Sequence, residues 1–249
     1  MPLPSFKLVF AAAFAALSTP SLAQEFAFDI AADFRGALIP VQKTTLASGL
    51  NGRIDEVLTD IGKVVEKGAP LVRLDCRVLA AEKRIAEAAR TLAETRLKTS
   101  EDLARSDNIS LVDLQSARSE LARSIADQER AEAELSYCVI KAPFSGVVTQ
   151  KLVDAFQHVQ VGQPLLELVD NSAFTVDFAV SSTVLRDKVE GRPFEITLDE
   201  TGNSYKGIVE RSSGAVDPIS QTVRLIGRLT DPTSDLIAGM SGTITLTTD

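Results

Sequence analysis

The chain has 249 residues, a net charge of −8 at pH 7, 45% hydrophobic residues and 24% charged residues. This composition is typical of a globular protein with enough apolar material for a sizeable core. The acidic balance argues against a nucleic-acid binder, which needs a basic surface. One histidine, two methionines and two cysteines leave little material for a transition-metal site. We therefore expect no metal, no cofactor and no enzymatic activity.

The first 23 residues have the pattern of a secretory signal peptide. Lys7 supplies a positive charge, residues 8–17 form an apolar run, and Ser21-Leu22-Ala23 is a small-x-small cleavage signature. The run is too short to span a bilayer, which takes about 20 residues, although an uncleaved signal anchor is the alternative. The pattern predicts cleavage after Ala23 and a soluble protein exported to the periplasm.

A long segment between the two ends of the chain is predicted to be helical. Residues 71–142 contain neither glycine nor proline and are rich in Ala, Glu, Arg and Leu, which favour helices. Heptad spacing predicts the packed faces of two helices, at Val78, Ala81, Ile85, Ala88, Leu92, Thr95 and Thr99, and at Leu114, Ala117, Leu121, Ser124, Gln128, Ala131 and Leu135.

The helical segment is interrupted once, near its middle. Asn108 tolerates the left-handed conformation that ends a helix, and Ser110 with Asp113 has the spacing of a capping box that starts another. We expect helices at about 76–106 and 110–136, folded into an antiparallel coiled-coil hairpin. The alternative is a plain spacer or an ordinary pair of bundle helices.

Two copies of one motif flank the helical segment. Each begins at a glycine, Gly52 or Gly146, and has a second glycine sixteen residues later, which a proline follows after one intervening residue. Each copy reads as a short β-hairpin unit with glycine at its tight turns. Because neither copy has enough apolar residues to bury a face alone, we expect the two to pack together.

The paired motifs resemble a known family. The similarity is carried by Ala47-Ser48-Gly49-Leu50-Asn51-Gly52-Arg53-Ile54, Val64-Val65-Glu66-Lys67-Gly68-Ala69-Pro70-Leu71, Ile140-Lys141-Ala142-Pro143-Phe144-Ser145-Gly146-Val147-Val148 and Gly162-Gln163-Pro164-Leu165-Leu166. Two halves of a lipoyl-like (barrel-sandwich hybrid) domain, split by a helical hairpin, are similar to the periplasmic adaptors, or membrane fusion proteins, of bacterial tripartite efflux pumps of the RND/HlyD-like type.

A lipoate or biotin carrier is the rival interpretation of the same motif. Such a carrier presents a modifiable lysine at a hairpin turn, in an Asp-Lys-Ala or Met-Lys-Met pattern. The turns here read Asp60-Ile61-Gly62-Lys63 and Asp154-Ala155-Phe156-Gln157, so neither has that pattern. Export from the cytoplasm also argues against a carrier.

The last third of the chain alternates apolar and polar residues with period two, as in Phe174, Val176, Phe178 and Val180. Turn signals separate several such runs, which predicts a small antiparallel β-barrel. We expect a strand at about 34–41 to join this barrel, and a short helix over 181–189. The chain stops at Asp249, so we expect no membrane-proximal domain after the barrel.

The predicted fold class is therefore α+β, multidomain and elongated. The expected domains are a signal peptide at 1–23, an N-terminal segment at 24–44 that adds a strand to the barrel, lipoyl-like halves at 45–75 and 138–170, the helical hairpin at 76–137, and the β-barrel at 171–249.

The resemblance implies a non-catalytic adaptor that links an inner-membrane transporter, most simply of the RND type, to an outer-membrane channel for export of small molecules. Such adaptors work as homo-oligomers, commonly hexamers, and this one would meet the membrane only through its partners. The alternatives are an adaptor of an ABC-type exporter or of a type I secretion system, and a stand-alone periplasmic ligand-binding protein.

Two sites follow from this arrangement. Cys76 and Cys138 flank the helical segment, so an antiparallel hairpin would bring them together at its base, where an oxidising compartment favours a disulfide. The alternative is two buried free thiols.

Family adaptors meet the channel through a tip pattern of Arg, three residues, Leu, six residues and Ser. This sequence matches the Leu and Ser, with Thr99 in place of Arg, and the predicted docking residues are Leu103, Asn108, Ser110 and Leu114.

Overall fold

The computed structural model describes residues 33–186, 188–230 and 235–247. The predicted signal peptide and its cleavage site lie outside the described residues. The described chain forms a six-stranded barrel, two four-stranded sheets and two helices. Of these, the sheets and helices come from the central part of the sequence, and the barrel comes from its two ends.

The two four-stranded sheets are built by an exchange between the repeated halves. The first half provides β2 (Lys43–Ala47), β3 (Gly52–Val57), β4 (Val64–Val65) and β5 (Pro70–Leu74). The second half provides β6 (Val139–Lys141), β7 (Gly146–Lys151), β8 (His158–Val159) and β9 (Pro164–Val169). The sheet orders are β2-β9-β7-β4 and β6-β5-β3-β8, so each sheet contains strands of both halves.

The exchange explains why neither half buries an apolar face alone. The short strand β4 pairs with β7 of the other half, and β8 pairs with β3. The shared core contains Ile54, Leu71, Val72, Leu74, Ala142, Val148, Val153, Val159, Leu165, Leu166 and Leu168. A barrel-sandwich core made by both repeats is thus the arrangement predicted from the sequence.

The backbone contacts of the repeats match closely. The Gly62 N–H donates to the Val148 carbonyl at 2.8 Å, and the Phe156 N–H donates to the Ile54 carbonyl at 2.9 Å. Gly62 and Phe156 each lie ten residues after the first glycine of their repeat. Both have a left-handed backbone, with φ of 80° and 70°. The second repeat therefore places a phenylalanine where the first has a glycine.

Phe156 is strained and exposed at the same time. A left-handed conformation disfavours any residue that carries a Cβ atom by about 1–2 kcal/mol. The Phe156 side chain remains 69% exposed, so apolar burial within the chain does little to offset this strain.

We expect Phe156→Gly to raise the free energy of unfolding of the barrel-sandwich domain by roughly 0.5–1 kcal/mol, because glycine relieves the strain and loses some of that gain to backbone entropy. Urea unfolding measures the change. Ala155→Gly at the neighbouring exposed position should lower the same quantity by about as much. A Phe156→Gly protein no more stable than Ala155→Gly would contradict the strain argument.

The barrel closes in the order β1-β10-β13-β12-β11-β14. Its strands are β1 (Phe34–Pro40), β10 (Phe174–Ser181), β11 (Pro193–Leu198), β12 (Ser204–Asp217), β13 (Thr222–Leu229) and β14 (Ser241–Leu246). Strand β1 pairs with β10 and β14, so the segment before the repeats closes the barrel. The rings of Phe178 and Phe194 pack in its core with centroids 5.4 Å apart.

Two glycines leave room for one of these rings. A Cβ atom at Gly207 or Gly227 would lie 2.3 Å from the Phe194 ring, so no larger residue fits there without displacing it. The short helix expected over 181–189 is present but shorter, as a 3-10 helix at Ser182–Arg186. Thr183 and Val184 are β-branched and support a longer α-helix poorly.

Candidate docking surface

The two helices lie between the repeated halves in sequence. Helix α1 spans Arg77–Arg105 and α2 spans Leu111–Ser136, close to the predicted bounds. Within the described part of the chain, neither has the length and apolar character that a membrane span requires. Lys83 near the start of α1 contacts Glu132 near the end of α2 at 3.4 Å, and Glu101 contacts Arg118 at 3.8 Å. The helices therefore pass each other in opposite directions.

The packed face of α2 is the predicted one, because all seven of its heptad positions are buried or half-buried. The predicted packed face of α1 is wrong. Val78, Ile85 and Leu92 are 72%, 70% and 52% exposed. The residues that face α2 are instead Leu79, Lys83, Ala86, Arg90, Ala93, Leu97, Ser100 and Ala104. This set also alternates steps of three and four residues, and its members lie one or two positions after the predicted ones.

Polar contacts fix the register of the two helices. The ammonium of Lys83 contacts Glu87 and Glu132, and its pKa is raised by these hydrogen bonds and charges. The pKa of Glu132 is lowered, first by the hydrogen bond that Gln128 donates and then by Lys83. Arg90 also donates to Gln128 at 3.3 Å. Shifting either helix by a turn would separate these partners, so the contacts specify one alignment.

A disulfide joins the base of the helix pair. Cys76, just before α1, is bonded to Cys138, just after α2, with a Cα–Cα distance of 6.0 Å. The bond closes a loop with a sequence separation of 62 that contains both helices. Cys138 is buried, and its carbonyl accepts a hydrogen bond from the Leu74 N–H at 2.9 Å. The base of the pair is thus tied to strand β5.

The turn at the other end has a defined geometry. The Asn108 N–H donates to the Leu103 carbonyl at 3.0 Å, and the Asp107 N–H donates to the Ala104 carbonyl at 3.2 Å, which is the Schellman pattern. The left-handed residue is Asp107, with φ of 53°, and the prediction of Asn108 was wrong by one. The pattern requires the left-handed residue directly after the C-cap, which is Ser106.

Ser110 begins α2 as predicted from its spacing. Its hydroxyl oxygen accepts a hydrogen bond from the Asp113 N–H at 3.1 Å and donates to the Asp113 carboxylate at 2.8 Å. Ser110 thus satisfies an N–H group that would otherwise lack a partner at the helix start. This structural task occupies the side chain that the sequence pattern assigned to docking.

The tip presents more apolar surface than the sequence pattern indicated. Leu103 is 42% exposed, whereas Leu114 is half-buried against α1 as part of the packed face of α2. Leu111 and Val112, at the first two positions of α2, are 85% and 77% exposed. Neither residue belongs to the heptad pattern of α2. That was the sequence signal that these two apolar side chains do not pack against α1. We define Leu103, Leu111 and Val112 as the apolar tip.

A family comparison bears on this arrangement. The family model described as the CzcB-like barrel-sandwich hybrid domain matches residues 42–170, which is more than half of the chain. The chain belongs to this family. The matched residues run from the segment before β2 to the segment after β9 and include the helix pair. The barrel-sandwich hybrid domain predicted from the sequence is thereby confirmed.

The chain is also similar to a curated protein over most of its length. It is 29% identical over 205 residues to the nodulation protein NolF of Rhizobium meliloti, a match that covers 76% of this chain and 56% of that protein. The chain spans about half the length of the first curated relatives that it matches.

Solved structures show the same fold. The membrane fusion protein Spr0693 from Streptococcus pneumoniae has a TM-score of 0.71 at 18% identity, covering 86% of this chain and 98% of that one. A MacA–MexA chimera that contains the Pseudomonas aeruginosa MexA α-hairpin domain has a TM-score of 0.77 at 19% identity, covering 86% and 77%. The predicted resemblance to membrane fusion proteins is confirmed.

Proposed function

We propose that this protein is a non-catalytic periplasmic adaptor that links an inner-membrane efflux transporter, of the RND type, to an outer-membrane channel during export of small molecules. The observation that carries the proposal is an apolar tip at the end of a helix pair whose base is fixed to a barrel-sandwich domain of the CzcB-like family. The similarity in fold to membrane fusion proteins supports it.

In this proposal each part has a geometric role. The helix pair acts as a coiled-coil hairpin, over about 76–137, that reaches the channel, while the barrel, over about 171–249, and the lipoyl-like halves, over about 45–75 and 138–170, hold the transporter. Several copies form a ring, commonly of six, around the exported molecule. The chain is exported by a signal peptide at 1–23 and meets the membrane through its partners.

The polar contacts of the helix pair support its role as a rigid arm. Lys83 and Arg90 hold Glu132 and Gln128 on the opposite helix, and the disulfide fixes the base. At 1.5 Å per residue, α1 spans roughly 45 Å. A rigid arm of this length transmits the position of the barrel-sandwich domain to the tip.

Affinity purification of the full chain from chemically cross-linked cells tests the proposal. We expect a multi-span inner-membrane transporter and an outer-membrane channel to co-purify, and we expect a strain that lacks this protein to retain more exported compound until the wild-type chain is restored. Recovery of a transporter with an ATP-binding subunit would replace the RND assignment by the ABC-type alternative. Recovery of neither membrane partner would contradict the adaptor function.

A further inference from the structure

The outer face of the barrel carries a groove with a volume of about 790 Å³. The groove crosses strands β1, β10 and β13 and reaches the end of β12 and the start of β14. Its described lining residues all belong to these barrel strands. The volume lies within the range of small-molecule sites, roughly 300–1,000 Å³. The lining therefore indicates which class of small molecule the groove accepts.

Small side chains form the floor of the groove. Ala37 of β1 and Ala179 of β10 line it, and their neighbours Leu38, Phe178 and Val180 lie in the barrel core. Because successive side chains of a strand point to opposite faces of the sheet, both alanines point outward. Each alanine adds only a methyl group to the outer surface, which leaves a depression between the longer side chains around it.

A bulge in β12 forms one wall of the groove. The pairing of β12 with β13 is irregular after Ser212, where three residues of β12 stand against Arg224 alone. Gly214, at the centre of these three, has a left-handed backbone with φ of 70°. Extra residues in one strand bend it away from its partner. The bulge leads into Val216, which lines the groove and is 45% exposed, and Ile39 on the opposite side is 41% exposed. The groove thus has apolar side chains on both sides.

Two arginines flank the floor. Gly36 of β1 pairs with Phe178 of β10, and continuing this register places Arg35 beside Ala179. On its other side Ala179 pairs with Arg224 of β13. Ala179 therefore lies between two arginines on neighbouring strands, whose Cα atoms are about 10 Å apart at the usual strand spacing.

The charges that the groove leaves open to solvent are positive. Arg35 pairs with Asp199, and Arg224 pairs with Asp177. The side chains of Arg35 and Arg224 are 63% and 66% exposed, whereas that of Asp177 is 15% exposed. The two carboxylates use one N–H donor of Arg35 and two of Arg224, and a guanidinium group has five. Both arginines therefore have donors that these carboxylates do not use.

The second carboxylate that lines the groove is occupied by its own turn. Oδ1 of Asp217 accepts hydrogen bonds from the Ile219 N–H at 2.9 Å and the Ser220 N–H at 3.0 Å. These bonds, that of Ser220 first, lower the pKa of Asp217. The negative charge is thus compensated by backbone N–H groups of the turn between β12 and β13.

We propose that this groove binds a small amphipathic anion, a carboxylate with an alkyl chain, with its charged group between Arg35 and Arg224 and its chain along Ala37 toward Ile39. Guanidinium groups bind carboxylates through paired, charge-assisted hydrogen bonds. Arg35 and Ile39 are four residues apart on one strand, or roughly 13 Å, which suits an alkyl chain of medium length. The chain would cover methyl groups that otherwise face water. The proposed site goes beyond the adaptor function and does not rest on it.

Titration of the exported full chain with decanoate, followed by the NMR signals of alanine methyl groups, tests the site. We expect saturable shifts at Ala37 and Ala179 and unchanged signals at Ala93 and Ala131, which are buried in the helix pair. Acetate lacks the chain, decanol lacks the charge, and decyltrimethylammonium reverses it. Each of these three should bind at least tenfold more weakly than decanoate. The proposal would be overturned if any of them bound as tightly as decanoate.

Matched arginine variants locate the charged group. Arg35→Gln and Arg224→Gln each remove one guanidinium from an exposed ion pair, so the barrel should melt as in the wild type and bind decanoate at least fivefold more weakly. The control is Arg228→Gln on the same strand as Arg224. Arg228 is 60% exposed and donates to Glu210 at 2.9 Å, but it does not line the groove. Its removal should leave decanoate binding unchanged. Equal losses in Arg224→Gln and Arg228→Gln would indicate a general attraction of anions to the barrel and contradict the site.

A substitution in the floor gives a second, independent test. Ala179→Leu enlarges an exposed side chain, so it fills the groove without disturbing the barrel core. We expect the variant to melt as the wild type and to lose the decanoate-dependent shift at Ala37. Wild-type affinity in a folded Ala179→Leu protein would show that decanoate binds elsewhere and would overturn the proposal. Because binding is measured on this chain alone, the result is independent of whether a transporter or a channel co-purifies.

Discussion

Replacing both Cys76 and Cys138 by serine is expected to lower the free energy of unfolding of the helix pair by about 4 kcal/mol. The disulfide closes a loop with a sequence separation of 62, and a cross-link across a loop of this length restricts the unfolded chain by roughly that amount. The effect should be large for the helix pair in particular, because its buried residues are small: Ala93, Ser124 and Ala131.

Urea unfolding followed by the helical circular dichroism signal measures this change. The double serine variant avoids a free thiol that could form bonds between chains. Wild-type protein unfolded with reductant present should follow the same curve as the variant, since reduction removes the same cross-link. Oxidised and reduced wild-type curves that coincide would show that the disulfide does not stabilise the helix pair.

The loss should remain local to the helix pair and its base. The barrel core includes Phe174, Phe178 and Phe194, which lie outside the loop that the disulfide closes. The barrel strands pair with one another in a closed sheet. We therefore expect the β signal to persist after the helices have unfolded in the serine variant. The exported protein should still accumulate.

The two helices show how far sequence reasoning reaches. Periodicity predicted both helices, and the apolar residues of α2, such as Leu121 and Leu135, lie on the predicted face. Helix α1 has two patterns with 3-4 spacing on different faces. The pattern with Val78, Ile85 and Leu92 is more apolar than the one with Lys83 and Arg90, so periodicity alone selects the outer face.

The correct face of α1 depends on information from the other helix. Lys83 and Arg90 point toward α2 because Glu132 and Gln128 provide hydrogen-bond partners there. A pattern that considers one helix at a time treats such charged residues as surface. The same limit applies to strands β4 and β8, which have two residues each and take their partners from the other repeat. A strand of two residues is too short to show a repeating pattern in the sequence.

The position of the turn between the helices was predicted from the sequence, but only some of its exposed apolar residues were. The break between the helices was visible from Asn108 and Ser110, and the structure places the turn there. The exposed pair Leu111 and Val112 was missed, because a family spacing pattern directed attention to Leu103 and Leu114. Exposure of neighbouring apolar residues depends on the direction in which the helix leaves its cap, and that direction is a tertiary property.

Leu111→Asp is expected to abolish docking at the apolar tip while preserving the fold. The side chain is 85% exposed, so the substitution leaves no buried charge in the free protein. It also adds a negative charge at the first position of α2, where the helix dipole favours it by a few tenths of a kcal/mol. In a docked interface the same charge loses water without gaining a partner, which weakens binding strongly.

Leu103→Asp should act in the same direction at the end of α1. The matched control is Leu97→Asp, which places a charge at a half-buried position of the packed face and should lower the melting temperature of the helix pair. If the tip meets the outer-membrane channel, Leu111→Asp and Leu103→Asp should reduce export to the level of a strain without the protein, with at least tenfold less cross-linking to the channel and wild-type abundance. Leu97→Asp should instead lower the abundance and stability of the protein.

A stable, abundant Leu111→Asp protein that exports and cross-links like the wild type would contradict the tip assignment. The channel contact would then have to use a surface other than Leu103, Leu111 and Val112, such as the polar turn at Asn108 and Ser110.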